Sequence, residues 1–336
     1  MTESKRNTFL DSIKFYLILL VIFGHLLGNY KSTSPFNIAI WNFIYLFHMP
    51  LFAFVSGYFT KPTTLAKFKT GVFRILETFV FLQILSLLPL ILNETISFKN
   101  IITPWWFLWY LFALAIWKTI YFIFESKIKI KILLLISVII ALLIGFVPFI
   151  GYPLSLSRIF VFLPFFLLGV VGKDNYLSKI KSFPKIYSLL FLAIVFIGLF
   201  YSHIDLSLIE KSSYSYYELP SLIIGLLGRV LFFLAAISMS FAFINIMPDV
   251  KMFNIIGKDT LLYYIYHGYL ILVLKEIINY WNLPINTFVL FGLSLGIIVL
   301  IYYFSKIELS RNILNPYSFW KKNHHDNSIT KSKTKT

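Results

Sequence analysis

The feature that most constrains this chain is a succession of about ten apolar runs, each of roughly the length that crosses a bilayer as a helix. The predicted spans are 9–29, 36–59, 75–92, 104–124, 131–148, 158–172, 186–202, 219–246, 260–275 and 284–304. Because hydrocarbon offers the backbone no hydrogen-bonding partner, only helices and closed barrels cross it. The runs therefore predict an all-α fold, a polytopic membrane helical bundle of about ten transmembrane helices.

The composition supports a membrane protein over a water-soluble one. Hydrophobic residues make up 59% of the 336 residues, and charged residues only 13%, about half the share of an ordinary soluble domain. The chain has no cysteine, which excludes disulfides, thiolate metal sites and a cysteine acyl-enzyme. No His-Glu-x-x-His motif is present, and scattered histidines are poor evidence for zinc, so we predict no metal site.

The basic residues predict the orientation. Clusters of them follow every second span, whereas each alternate loop carries a single one: Lys31, Lys99, Arg158, Lys211 and Lys275. Lysine and arginine accumulate in cytoplasmic loops, so we expect both termini in the cytoplasm. The net charge of +16 is spread over these loops, which argues against a nucleic-acid partner. We expect a membrane domain at 1–310 and a basic cytoplasmic tail at 311–336, largely disordered for lack of apolar content.

The first span contains three ionisable residues, Asp11, Lys14 and His25. Ionisable side chains within a membrane are costly and usually face a partner or an aqueous cavity. Asp11 and Lys14 are three residues apart and share a helix face, so a simple pair near the cytoplasmic interface also explains them. His25 lies about 16 Å further along, on the same face after about three turns. A site histidine and a structural histidine are both compatible with this position.

Five further residues are candidates for binding. His48 lies in the second span, and Ser56 precedes Gly57, where close helix packing is the simpler explanation. Trp106 belongs to an aromatic cluster, with Trp105, Trp109 and Tyr110, that predicts either an interfacial belt or a stacking surface for a sugar. Arg158, at the outer end of the sixth span, is expected to have an anionic partner, and His267 lies about two turns into the ninth span. These residue types offer a general base, and cations able to hold an anionic ligand such as a pyrophosphate.

Lys14 and His25, with ten residues between them, resemble the basic-x10-His signature of the acyltransferase-3 family of membrane proteins, in its fucose 4-O-acetylase-like branch. Other blocks that resemble this family are 47–59, 106–108, 158–169 and 256–267. The chain departs from the pattern in having Lys14 where many relatives have arginine. It also lacks the fused extracytoplasmic hydrolase-like domain of some larger members, which leaves open a separate extracytoplasmic partner protein.

The resemblance implies transfer of an acyl group, usually acetyl, from acyl-CoA to a hydroxyl of a cell-surface glycan or its lipid-linked precursor. The expected co-substrate is then acetyl-CoA, with no bound cofactor, and membrane lipid surrounds the protein. We predict His25, Lys14 and Asp11 as catalytic residues. The predicted substrate or acyl-CoA binding residues are His48, Arg158, His267, Trp106 and Ser56. His25 could act as a general base or carry the acyl group itself. A polysaccharide exporter or flippase is the alternative that the many spans leave open.

Overall fold

The computed structural model describes residues 7–148, 150, 153–172, 176–211, 215–307 and 310, and within them it contains helices but no strand. The helices are α1 (Thr8–Leu27), α2 (Pro35–Phe59), α3 (Leu65–Leu92), α4 (Phe98–Ile102), α5 (Trp109–Phe124), α6 (Ile130–Leu143), α7 (Leu156–Val171), α8 (Tyr176–Ser182), α9 (Lys185–Ser202), α10 (Ser207–Lys211), α11 (Leu222–Ile246), α12 (Lys251–Lys258), α13 (Thr260–Trp281) and α14 (Thr287–Phe304). Each predicted span overlaps one of the longer helices.

Seven described helices are long and apolar enough to cross a membrane, namely α1, α2, α3, α9, α11, α13 and α14. The apolar helices α5, α6 and α7 are shorter, at 14 to 16 residues. Sixteen residues rise about 24 Å, somewhat less than the hydrocarbon core. The predicted all-α polytopic fold is confirmed and the chain is a multi-pass membrane protein, while the count of ten spans remains a prediction. The tail at 311–336 and its predicted disorder lie outside the described residues.

Four span boundaries were predicted wrongly. Helix α6 ends at Leu143 rather than 148, and a short 3-10 turn at Ile144–Phe146 follows it. Helix α3 begins at Leu65, ten residues before the predicted span, because hydropathy detects only the part of a helix that lies in lipid. Helix α5 begins at Trp109 rather than 104, since a turn closed by the Leu108 N–H and the Trp105 carbonyl precedes it. Helix α13 continues to Trp281, where Asn282 ends it in the left-handed conformation at φ 47°.

Helix α1 lies inside the bundle and packs against α2, α12, α13 and α14. Most of its apolar residues are buried, with Leu10, Leu17 and Ile22 fully inaccessible. Helix α2 runs antiparallel to α1. Lys14, near the start of α1, lies over the ring of Phe59 at the end of α2, whereas His25, near the end of α1, contacts Tyr45 in the first half of α2. The polar residues of α1 therefore face protein groups or internal cavities rather than lipid.

Helices α2 and α7 touch through their backbones. A Cβ atom placed on Gly57 would lie 1.8 Å from the Phe166 carbonyl oxygen, and one on Gly169 would lie 1.9 Å from the Phe54 carbonyl oxygen. Such contact requires residues without side chains, so the close approach predicted at Gly57 is present. It brings the His48 side of α2 next to the Arg158 end of α7.

We expect Gly57→Ala and Gly169→Ala to lower the thermal midpoint of the purified protein in detergent, because each methyl group would force the two helices apart. Overpacking of this kind costs about 1–3 kcal/mol. The matched control is Gly198→Ala in α9, where a Cβ would have no atom within 4 Å. Alanine favours a helix more than glycine does, so the control should keep or raise the midpoint. Equal midpoints for all three variants would contradict this packing.

Candidate functional site

The His25 ring forms part of a wall between two cavities. A central cavity of about 310 Å³ is lined by His25, Tyr45 and Trp106 together with His48, Trp109, Ser155, Arg158 and Tyr264, among others. An outer pocket of about 270 Å³ is lined by the same first three residues and by Lys31, Trp41 and Lys275, among others. A group bound in either cavity can therefore reach the same imidazole.

Tyr45 holds the His25 ring in place. Its hydroxyl lies 3.2 Å from His25 Nδ1, and Gly24 leaves room for it, since a Cβ there would lie 2.9 Å from the Tyr45 ring. The Trp106 ring packs edge-on against His25 at 4.6 Å between centroids, and the His267 ring stacks beside it at 5.5 Å. The orientation of His25 is thus fixed by contacts from three other segments of the chain.

His48 and His267 are both buried, at 2% and 0% exposure, and share one hydrogen-bonding arrangement. Nδ1 of His48 lies 2.8 Å from the Ile44 carbonyl oxygen, and Nδ1 of His267 lies 3.1 Å from that of Tyr263. A carbonyl oxygen only accepts, so each Nδ1 carries a proton and donates it, which leaves Nε2 of the neutral ring as an acceptor. Within the described residues, Nε2 of His267 has no hydrogen-bonding partner, and no group of three or more histidine or acidic residues could hold a metal ion.

Arg158 supplies a cation to the central cavity. Its guanidinium lies 5.2 Å from the centroid of the Trp109 ring. The segment just before α7 is strained, because Leu154 and Ser155 have φ values of 50° and 53°, and such residues cost of order 1–3 kcal/mol each. Ser155 also lines the cavity, so the strained backbone is part of the site wall.

Lys14 lines a separate inner pocket of about 380 Å³, together with Ser56, Phe59 and Lys118 among others. Its ammonium is 2.7 Å from the carboxylate of Asp11, which is fully buried. It also lies 4.7 Å from the Phe59 ring centroid. Asp11 therefore neutralises and positions the Lys14 ammonium, and contacts neither the inner pocket nor the central cavity.

Two tyrosines lie between the inner pocket and the central cavity. The Tyr110 hydroxyl is 2.8 Å from the Ser56 hydroxyl in the wall of the inner pocket. The Tyr110 ring is 5.9 Å from that of Tyr264, which lines the central cavity and donates a hydrogen bond to the Phe107 carbonyl. The two spaces are thus separated by Tyr110 and Tyr264.

Beside the inner pocket lies a basic pocket of about 250 Å³, whose lining includes Lys61, Lys67 and Lys118. The Phe68 and Phe122 rings, also in its lining, stack in parallel at 4.0 Å. Lys118 Nζ donates a hydrogen bond to the Thr60 hydroxyl at 3.3 Å, and its side chain lines both pockets. The lining also contains one carboxylate, Glu125, so three lysines against one acid leave a net positive charge at the inner ends of α2, α3 and α5.

The structure brings most of the sequence-predicted residues together. His25, His48, Arg158 and Trp106 line the central cavity, whereas His267 is buried against the His25 ring and is not among the lining residues. Asp11, Lys14 and Ser56 lie at the inner end of the same bundle. Lys14 and His25 share a face of α1 but line different pockets.

The structure separates the aromatic cluster into two environments. Trp109 and Tyr110 are buried in the bundle, at 9% and 6% exposure, whereas Trp106 is 38% exposed and borders both cavities. An interfacial belt therefore does not account for Trp109 and Tyr110.

Lys118 and Tyr45 are two site residues that sequence reasoning missed. Lys118 is an ionisable residue within the predicted fourth span, and that alone could have identified it. Tyr45 offers no comparable signal, since a tyrosine is an ordinary component of an apolar span. Only its position opposite Gly24 reveals its contact with His25.

Comparison with known proteins assigns the family. The acyltransferase domain of the acyltransferase-3 family matches residues 7–303. The nodulation protein NolL of Sinorhizobium fredii is 42% identical over 65 residues, which is 18% of either chain. That of Mesorhizobium japonicum is 42% identical over 73 residues, which is 20% of either chain.

These matches cover about a fifth of the curated relatives' length, and no solved structure matches. The family match, in contrast, extends over almost the whole helical bundle. The chain belongs to the acyltransferase-3 family and is a multi-pass membrane protein.

Proposed function

We propose that the protein transfers an acyl group, with acetyl as the expected one, from acyl-CoA to a hydroxyl of a cell-surface glycan or its lipid-linked precursor. The observation that carries this proposal is the position of His25 in the wall shared by the central cavity and the outer pocket. A thioester in the central cavity and a sugar hydroxyl in the outer pocket would meet at the same imidazole. An exporter or flippase has no comparable use for such a ring.

In the proposed reaction, His25 removes the proton of the sugar hydroxyl as the oxygen attacks the thioester carbonyl. The carbon–sulfur bond then breaks, the ester remains on the sugar, and the CoA thiolate takes up the proton that His25 holds, which regenerates the neutral imidazole. We assign the proton transfer to Nε2, with Nδ1 protonated and donating its hydrogen bond to the Tyr45 hydroxyl oxygen, so that Nε2 carries the lone pair of the neutral ring. Charge that develops on the carbonyl oxygen would be stabilised by the Arg158 guanidinium of the same cavity. In the alternative mechanism, Nε2 of His25 acts as the nucleophile and carries the acyl group before passing it to the sugar.

The donor would enter from the inner face. Acyl-CoA is polyanionic, and Lys61, Lys67 and Lys118 supply the cations that hold phosphates. The Phe68 and Phe122 rings beside them offer apolar surface for the adenine base. The acyl end would then pass Lys14 and the Ser56–Tyr110 hydrogen bond on its way to the central cavity. Lys14 thereby acts at the donor entrance and His25 at the reacting bond.

We expect His25→Ala to lower acyl transfer at least about 100-fold, the lower bound for losing a general base, while the protein inserts and purifies normally. The measurement is transfer of radiolabelled acetyl from acetyl-CoA to membrane glycan. His203→Asn is the matched control, because His203 is exposed outside both cavities. Full activity of His25→Ala would end the proposal.

Tyr45→Phe should lower kcat while leaving the KM for acyl-CoA unchanged, because it removes the hydroxyl that orients His25 and leaves the donor pockets intact. Steady-state kinetics of the purified enzyme provide this test. An increase in KM at constant kcat would assign Tyr45 to binding and contradict its positioning role.

Lys118→Met should raise the KM for acyl-CoA roughly tenfold, since a hydrogen bond to a charged group is worth about 1.5 kcal/mol. The matched control is Lys127→Met, which removes an exposed cation just beyond the end of the same helix. Equal KM values in the two variants would exclude Lys118 from the donor site.

A further inference from the structure

The outer pocket is lined by two lysines, one of which is paired with a carboxylate outside the lining. Lys31, just after α1, and Lys275, in α13, both line it, and no acidic residue is among its lining residues. The five predicted outer loops have only one basic residue each. Two of the five line this pocket, and a third, Arg158, lines the central cavity behind its wall. The scarce cations of this face therefore converge on His25.

The two lysines are held differently. The Lys31 ammonium is 2.6 Å from Asp205 and 4.7 Å from the Trp41 ring centroid, so its position is fixed. Burial opposes ionisation of Asp205, but hydrogen bonds from Lys31 and Ser207 hold its pKa below the usual range, so the pair stays charged. Lys275 is exposed and forms no salt bridge within the described part of the chain. Its charge is available to a ligand.

The rest of the lining suits a sugar. Trp41 is buried, at 2% exposure, with its ring stacked on Tyr45 at 3.9 Å, so the aromatic surface open to a ligand is that of Trp106, which is 38% exposed and lines the same pocket. Flat aromatic surface combined with a few polar groups is typical of a small-molecule site. The volume of about 270 Å³ is just below the usual range for such sites, which fits a single sugar unit better than a whole polymer repeat.

We propose that the outer pocket binds an acidic sugar, with its carboxylate or phosphate held by Lys275 and Lys31 and a hydroxyl directed at His25. The identity of this sugar as the acyl acceptor rests on the proposed function. The anionic group is either the carboxylate of a uronic acid or the phosphate of a sugar phosphate, because both pair with ammonium groups in the same way.

The test measures binding and transfer separately on the full-length protein in nanodiscs. The probes are methyl β-D-glucuronide, glucose 6-phosphate and methyl β-D-glucoside, and binding is followed by isothermal titration calorimetry. We expect at least one acidic probe to bind at least tenfold more tightly than the neutral glucoside, with an advantage that falls as salt rises. Lys275→Met should abolish most of that advantage, and Lys31→Met should reduce it. Lys99→Met, which removes an exposed cation of α4, is the control and should leave it unchanged.

Preference for the glucuronide identifies a carboxylate and preference for glucose 6-phosphate identifies a phosphate, and both support the inference. Equal binding of acidic and neutral probes overturns it, and so does an acidic preference that Lys275→Met leaves intact.

Transfer from acetyl-CoA to each probe is measured in parallel. Acidic binding that depends on Lys275 without transfer to any probe would refute the proposed function and keep the anion site. Transfer to the glucoside without any preference for acidic probes would refute the anion site and keep the proposed function.

Discussion

The enclosure of α1 by its neighbours is the constraint on which the rest of the site depends. A helix at the edge of a bundle can direct polar side chains toward headgroups, but α1 packs against four other helices. Its ionisable residues must then be neutralised or face an internal space. Asp11 and Lys14 satisfy each other through a 2.7 Å ion pair. His25 instead borders two cavities, with Tyr45 on Nδ1.

The bundle creates these cavities through close contacts elsewhere. Glycines 57 and 169 let α2 and α7 approach until their backbones touch, which carries Arg158 to the level of His48. Gly268 makes room for the Phe107 ring next to His267, since a Cβ there would lie 2.1 Å from that ring. Small residues at the crossing points thus set the depth at which the polar residues meet. The aromatic side chains then divide the interior into an inner pocket, a central cavity and an outer pocket.

Periodicity and hydropathy predict much of this arrangement from the sequence, and the physical reasons for the remainder are specific. The apolar runs identify the helices, and a separation of eleven residues places Lys14 and His25 on one face. The start of α3 was missed because hydropathy cannot detect helix that continues into water. Tyr45 was missed because its contact with His25 depends on the packing of α1 against α2, which no local pattern encodes. The convergence of Lys31 and Lys275, 244 positions apart in the numbering, likewise exists only in the folded bundle.

The family assignment and the geometry support each other at different levels. The match over residues 7–303 establishes membership of the acyltransferase-3 family, and the short NolL matches add no information on donor or acceptor. The cavities supply the physical argument for a donor from the inner face and an acceptor from the outer face, which meet at His25.

The most direct test of this central claim is an experimental structure of the protein with a non-hydrolysable thioether analogue of acetyl-CoA. The account predicts the nucleotide against Lys118 at the inner face and the acetyl carbon in the central cavity, about 3–3.5 Å from His25 Nε2 or from the acceptor oxygen beside it. An analogue bound with its nucleotide in the outer pocket, or with its acetyl end remote from His25, would contradict it.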